Sequence, residues 1–531
     1  MPRDIWKPQR VRSRLTIAAL ALVVAATAGL STGTAVAKPI GYSPHDSHGP
    51  QWQWPGQGGK PGHGHQPNIT VPGIDATIQP QDLAPPPITV LKNSQGTAPG
   101  DVFAGPKIVT PGTPGQQGPE IVDNEGQPYF FLPIDLPYQA SDFRVQQYKG
   151  KPVLTFNVGQ STGGPGHSSG ESVILNQHYQ QIATVSAGNG LSADQHEFRL
   201  TDKGTALITV YHAVPYDLSK YGGPANGQVY DGIAQEIDIA TGKVVWQWNS
   251  LDHVPLSESY IPVPTDPSKP WDYFHINAVN PDTDGNLLVD GRGVSTVYKV
   301  SHKTGNVIWR LGGKSSDFQL GPGVQFNGQH NPLPETGQPN TYRIFDNGNG
   351  GGPATGKPSR VIDVKIDTAA KTATLVNSVQ HPDGVIANSQ GSSQRLSNGD
   401  LFVGWGSVGR LSEFDGAGNL LWDGQVPTGY DSYRGYRSPW VGQPLTDPTA
   451  EASRIDPTHV DVDAIWNGAT EVDRWLVLSG QSSHHLHPVG LTDWAGLSTD
   501  AQIRTSDPYV EIVALDEDGD AIGHSDLVQV H

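Results

Sequence analysis

The sequence has no cysteine at all and a single methionine among 531 residues. Without cysteine there are no disulfides and no thiolate metal ligands, so stability has to come from packing. Basic residues are also scarce, 34 Lys and Arg against 52 Asp and Glu, for a net charge of −18. That balance argues against nucleic acid and against an anionic membrane surface as partners. It also means that an anionic substrate would need a local basic pocket. Long amphipathic helical stretches are missing. No G-x-x-x-x-G-K-[ST] loop occurs, which argues against a nucleotide donor, and GNGGG at Gly348–Gly352 resembles a phosphate loop in composition only. The GQS and GSS serines have no G-x-S-x-G elbow around them. What remains is rich in turns: 64 Gly and 45 Pro lie between short hydrophobic runs, with 13 Trp and 17 Tyr. An all-β protein is the reading that follows.

The N-terminus has the layout of a secretory leader. Arg3, Lys7, Arg10, Arg12 and Arg14 precede the apolar run Leu15–Leu30, and Ala35-Val36-Ala37 offers a small-residue cleavage site. The run is short for a membrane span, and no twin-arginine pair is present. The expectation is a signal peptide over 1–37, cut after Ala37, and an extracellular mature chain with no integral span. Residues 38–85 are rich in Gly, Pro, Gln and His, and read as a flexible arm whose His45, His48, His63 and His65 are solvated. Residues 86–140 alternate short strands with Gly/Pro turns and read as a small N-terminal β domain.

Residues 141–531 repeat. One element is a strand, a glycine turn and a strand ending in Trp: EIDIATGKVVWQW, KVSHKTGNVIWRL and EFDGAGNLLWDG, with IVALDEDGDAIG as a degenerate copy. The turn glycines Gly242, Gly305 and Gly418 suit positive φ. A second, polar or His-bearing element precedes each: DQHEFRLTDKGTALITVY, FHINAVNPDTDGNLLVDGR, GSSQRLSNGDLFVGW and, more distorted, GQHNPLPETGQPNTYRIFDNG. Together they make four-stranded units, the signature of propeller blades, with a solenoid or tandem sandwich as the alternative. Six blades are expected, near 141–188, 194–250, 272–312, 326–382, 388–426 and 470–524.

Innermost blade strands converge on a central channel. His196, His275 and His330 each stand at the start of a unit, so rotational repetition should bring them together. Asn277 projects to the same side of its strand as His275. Arg292, one hairpin later, can return to the channel. Three imidazoles suit an open zinc site or an anion site with a histidine nucleophile. The arginine suits an anion better than a metal sphere, and the sequence places no Asp or Glu to orient the imidazoles.

HIN with an arginine seventeen residues on, then GNVIWRLGG, QHN and FDNGNG, resembles the arylsulfotransferase family. ITVLKNSQGTAPGDVF, VLTFNVGQSTGG, SSQRLSNGDLFVGWG and SYRGYRSPWVGQP are similar to its actinobacterial and fungal branch. The resemblance covers most of residues 86–445. It implies a six-bladed propeller with its site in the central channel. It also implies ping-pong transfer of a sulfuryl group from an aryl sulfate to a phenol, with no cofactor and no metal. By motif, the transiently sulfated histidine falls on His330, with His381 in VQHPD as the fallback. The other family positions fall on His275, Asn277, Arg292 and His196. Arg292, His275 and Asn277 would hold the sulfuryl oxygens, and His196 would exchange protons with the phenols. Trp271, Tyr273 and Phe274 are candidate stacking partners for the aryl ring, with core packing the other role open to them. A propeller that only binds glycans or cell-wall material, and a metal-dependent hydrolase using the three histidines, are the rival functions.

Overall fold

A computed structural model describes residues 69–74, 78–163, 166–350 and 357–531. The leader 1–37 and the arm up to residue 68, with its four histidines, lie outside the described residues, as do Gly351 and Gly352 of GNGGG. Nearly all regular structure is antiparallel strand. Among the described residues no helix is long and apolar enough to cross a membrane.

Among the described residues six sheets are four-stranded meanders, two of them carrying a fifth strand. Their first strands are Tyr138–Tyr148, Phe198–Leu200, Ile276–Pro281, His330–Pro334, Ser392–Arg395 and Tyr430–Ser438. Each meander faces the next across its own apolar cluster. Val153, Ile174, Phe198 and Ile208 join the first to the second. Trp248, Phe274, Ile276 and Val289 join the second to the third. Comparable clusters join the third to the fourth, the fourth to the fifth, and the fifth to the sixth. Phe103, Phe130, Phe143 and Leu154 join the sixth back to the first. Six sheets with six cores between them close a ring, and that ring is a β-propeller. The repeat chemistry does what the sequence suggests. Gly242, Gly305 and Gly418 take φ of 68°, 74° and 85°. Trp248, Trp309 and Trp422 are buried between blades.

The sixth blade is not where the repeat suggested. Its inner strand Tyr430–Ser438 pairs with Asp101–Ile108, followed by Glu120–Val122 and Pro128–Phe131. The early β segment therefore supplies three outer strands of blade six, and Thr89–Asn93 adds an edge to blade five. Residues 470–524, expected as a blade, instead belong to two sheets that share a separate core of Val462, Trp475, Val477, Ile503 and Ile512. The reason is plain in the chain. The copy IVALDEDGDAIG is a true hairpin with Gly519 at φ 85°, but hairpin chemistry does not say which sheet the hairpin joins.

A layer of buried charge crosses the channel between the inner strands. Arg434 of blade six reaches Asp142 at 3.0 Å and Glu197 at 2.9 Å, from blades one and two. Arg144 reaches the same two carboxylates at 2.9 and 2.8 Å. Such pairs are costly to break, about 3–5 kcal/mol for loss of one partner. They tie blades one, two and six together.

Candidate active site

The starts of the inner strands meet at one mouth. His196 and His275 stand edge to face, ring centroids 5.1 Å apart. Each is set by a carboxylate just before it in the chain. Asp194 receives the backbone N–H and the ring Nδ1–H of His196. Asp272 receives the backbone N–H of His275 at 3.2 Å and its Nδ1–H at 2.5 Å. This local wrap holds His275 at φ 51°, an uncommon backbone for a non-glycine residue. Asp272 also accepts from Nε2 of His167 at 2.8 Å, and the His167 and His275 rings lie 5.6 Å apart. The sequence pattern suggested no carboxylate to orient the imidazoles. There are two, and their signal is local, as D-Q-H and D-Y-F-H.

Arg292 sits on the hairpin after the HIN strand, and its backbone N–H donates to the carbonyl of His275 at 3.0 Å. Its Nη2 donates to the carbonyl of Asn388 at 3.1 Å, while its Nε is buried with no protein partner. Gly350 stands at φ 127°, in the region that favours glycine, and a Cβ there would come within 2.8 Å of the guanidinium. Burial holds the Arg292 guanidinium below the usual arginine range, against the pull of Asp272.

His330 approaches from the opposite side, on the blade-four strand. Its Nδ1 faces Oδ1 of Asn347 at 2.7 Å and the carbonyl of Gly328 at 3.1 Å. Nδ2 of Asn347 donates to the carbonyls of Ala387 and Gln390, so the amide cannot be turned round. Two acceptors on Nδ1 put the proton there. Nε2 then carries the lone pair, which meets only the N–H of Gln390 at 3.2 Å. Burial, then the charge of Arg292, pushes the His330 imidazole well below its ordinary value. Burial also pushes His275 down to about 4, although Asp272 opposes it. Burial raises the Asp194 carboxyl, but His196 more than offsets that and holds it below the carboxylate range.

Asn277 is buried, and its Nδ2 donates to the carbonyl of Gln329, the residue before His330. It ties two inner strands together. The nearby Asp290 carboxyl, bonded to Gln329, is pushed up to about 8 by burial. The expected stacking rings are elsewhere. Trp271 donates to the carbonyl of Ile261, Tyr273 to that of Val254, and Phe274 packs between Trp248 and Tyr298. All three belong to the core between blades two and three, because they lead into the inner strand from the blade side. The rings that face His196 are Tyr211, at 5.5 Å, and Tyr433, at 5.6 Å, and Tyr230 faces His167 at 4.6 Å. The Tyr433 hydroxyl is buried with no protein partner. His381 lies away from this cluster, with Asp423 and Trp405.

Ligand atoms of His167, Asp272 and His275 lie within 4.8 Å of one another, as do those of His381, Asp383 and Asp423. In the first group the hydrogen bonds to Asp272 already account for the spacing. The local charge is less cationic than the sequence suggested, since Asp194 and Asp272 stand behind the rings and, among the described residues, Arg292 is the one permanent cation beside them.

Residues 144–426 match the arylsulfotransferase (ASST) family, more than half of the chain. The chain belongs to the arylsulfotransferase (ASST) family. Membership implies small-molecule substrates. No curated protein matches it. Solved structures similar to this arylsulfotransferase-family chain include a protein of unknown function from Bacteroides caccae, at 13% identity over 64% of this chain and 98% of that one, TM-score 0.39. The GH43 protein BlXynB from Bacillus licheniformis is similar at 9% identity, over 72% and 88%, TM-score 0.30. So is virginiamycin B lyase from Staphylococcus aureus, at 7% identity over 70% and 96%, TM-score 0.27.

Proposed function

We propose that this protein carries a sulfuryl group from an aryl sulfate ester to a phenol, by two displacements at His330. The observation that carries the reading is the fixed tautomer of that ring. Asn347 and Gly328 hold the proton on Nδ1, so a neutral Nε2 lone pair is presented beside Arg292. A neutral imidazole is a competent nucleophile, and burial keeps this one neutral. Nε2 attacks sulfur, the S–O bond to the aryl oxygen breaks, and the phenolate leaves. The Gln390 N–H, displaced from Nε2, is left as a backbone donor beside the sulfuryl oxygens, with Arg292 across from it. His196, backed by Asp194, gives a proton to the leaving oxygen and takes one from the incoming phenol. Tyr211 and Tyr433 offer the aryl ring its walls, in place of Trp271, Tyr273 and Phe274. We place the reaction outside the cell, because residues 1–37 have the layout of a secretory leader.

A second reading, a metal-dependent hydrolase, is favoured by the grouping of His167, Asp272 and His275. One set of measurements decides. Purified protein with a chromogenic aryl sulfate and phenol should transfer without added metal and in the presence of chelator. Donor alone should give a burst of phenol and a sulfated His330 by mass spectrometry. His330→Ala should abolish both, and normal turnover by that variant sinks the assignment. Loss of activity on chelation, restored by stoichiometric metal, favours the hydrolase, and glycan binding without any burst favours a binding protein.

A further inference from the structure

The other mouth of the channel, beyond the layer of Arg434, Glu197, Asp142 and Arg144, opens into a cavity of about 720 Å³. It is lined where the inner strands end, by Arg199, Arg343 and Arg395 among charged residues and by Leu200, Leu287 and Leu333 among apolar ones. A cavity of this size suits a small organic ligand. Its charged groups are not all partnered.

Arg343 and Arg395 share Glu335, and Arg395 also reaches Asp363 at 3.2 Å, so two guanidiniums meet two carboxylates. Glu236 in the wall is engaged by His302 at 2.6 Å. Asp282 and Asp284 share Lys299, each at 2.7 Å. Asp202 and Lys203 are neighbours on the exposed rim and offset one another. Near the axis, however, Arg144, Arg199 and Arg434 stand among the described residues against Asp142 and Glu197 alone, and both carboxylates are bonded to Arg144 and Arg434. Arg199 is the third cation. Its Nε donates to Oδ1 of Asn280 at 3.1 Å. That amide is fixed by bonds to Glu197 and to the carbonyl of Pro332. The terminal nitrogens of Arg199 have no hydrogen bond or ion pair among the described residues.

We propose that this lower mouth is a binding site for a small organic anion, its oxyanion head on the fork of Arg199 and its apolar body against Leu287 and Leu333. The guanidinium fork matches a carboxylate or a sulfonate through two parallel bonds. Burial and the neighbouring Arg144 push Arg199 down to about 10, against the pull of Glu197, in keeping with terminal nitrogens that lack a partner. The site is separate from the imidazole cluster, and it stands whether or not sulfuryl transfer occurs there.

Thermal unfolding of the full chain, titrated with benzoate and separately with benzenesulfonate, tests this. Neither probe has a transferable group. The melting temperature should rise and saturate with at least one of them, which also tells the two head groups apart. In Arg199→Gln the apparent affinity should fall about 10- to 100-fold, as expected for loss of a charged hydrogen-bonded pair. In Arg292→Met, at the opposite mouth, the rise should persist. No saturable rise in the parent protein overturns the proposal. So does a rise that survives Arg199→Gln and disappears in Arg292→Met, which puts the ion among the histidines. Arg199→Gln should melt no lower than the parent in anion-free buffer, because it removes an uncompensated cation. A large drop there marks Arg199 as a structural part of the charge layer and also overturns the site.

Discussion

Two sides of one channel mouth hold the same ring in opposite ways. On the side of blades two and three, His196 and His275 give Nδ1–H to carboxylates, Asp194 and Asp272. On the side of blade four, His330 gives its proton to an amide and a backbone carbonyl. A carboxylate stabilises the imidazolium whenever it forms, so that side can take up and return protons. An amide fixes the tautomer without adding charge, so that side keeps a neutral lone pair. The backbone is uncommon on both sides, with His275 and Asn331 each at φ 51°. Conformations of this kind cost about 1–3 kcal/mol and persist where the surroundings over-determine them. The difference suggests a division of labour, with nucleophile on one side and proton exchange on the other.

The largest effect on that comparison should come from Asp272→Asn. Asp272 accepts from His275 and from His167 together, so one change releases two rings. The amide keeps the shape but removes the charge, and its NH2 can turn the ring over. A loss of about 10²-fold or more in kcat is expected, within the range for acid–base catalysis. KM should change far less. Steady-state transfer to phenol reads it, and a value within twofold of the parent would show that the His167 and His275 pair takes no part and leave the proton to His196 alone.

The partners named in that experiment are legible in the sequence to different degrees. The histidines stand out because each opens a unit with the same turn after it. Asp194 and Asp272 are equally local, two and three residues upstream, but an aspartate so close to a turn reads first as turn chemistry. His167 lies in the glycine-rich stretch STGGPGHSSG, where neither periodicity nor a repeat flags it. Asn347 and Gln390 reach His330 from 17 and 60 residues away, and only the closed ring brings them there. The same limit hides the sixth blade. Asp101–Ile108 pairs with Tyr430–Ser438 across more than 300 residues, and nothing in either strand names the other. Local repeat chemistry identifies the blade as a unit. Closure of the ring is a long-range property of the fold.

A smaller effect should follow from making the blade-four side resemble the other. Asn347→Asp gives His330 a carboxylate, which raises its pKa from a strongly depressed value. A protonated His330 has no lone pair to attack with. At neutral pH the expected loss is small, about twofold or less, because a ring held well below its ordinary pKa stays mostly neutral there after a rise of about one. The sharper reading is the pH profile of kcat/KM. Activity should be lost on the acid side in both proteins, and the variant should lose it at a higher pH. An unmoved acid limb would mean that another ring is the nucleophile.

The smallest effect is on stability, and it tests the neutral state of His330 without any substrate. In the fold its pKa lies below the unfolded value of about 6.5, so below that pH the unfolded chain binds a proton that the folded chain refuses. The contribution is complete above about pH 6.5 and is lost as the pH falls towards the folded value. His330→Gln removes this contribution. Its unfolding free energy should therefore fall less steeply between about pH 6.5 and 5, by about 1 kcal/mol per pH unit. Asp194 and Asp272 are held below the carboxylate range, so their own contributions change at lower pH and do not enter this window. Urea unfolding of both proteins at about pH 8 and pH 5 gives the difference of differences. Parallel losses would mean that His330 is protonated in the fold as readily as in the open chain, and the contrast between the two sides of the channel would then rest on geometry alone.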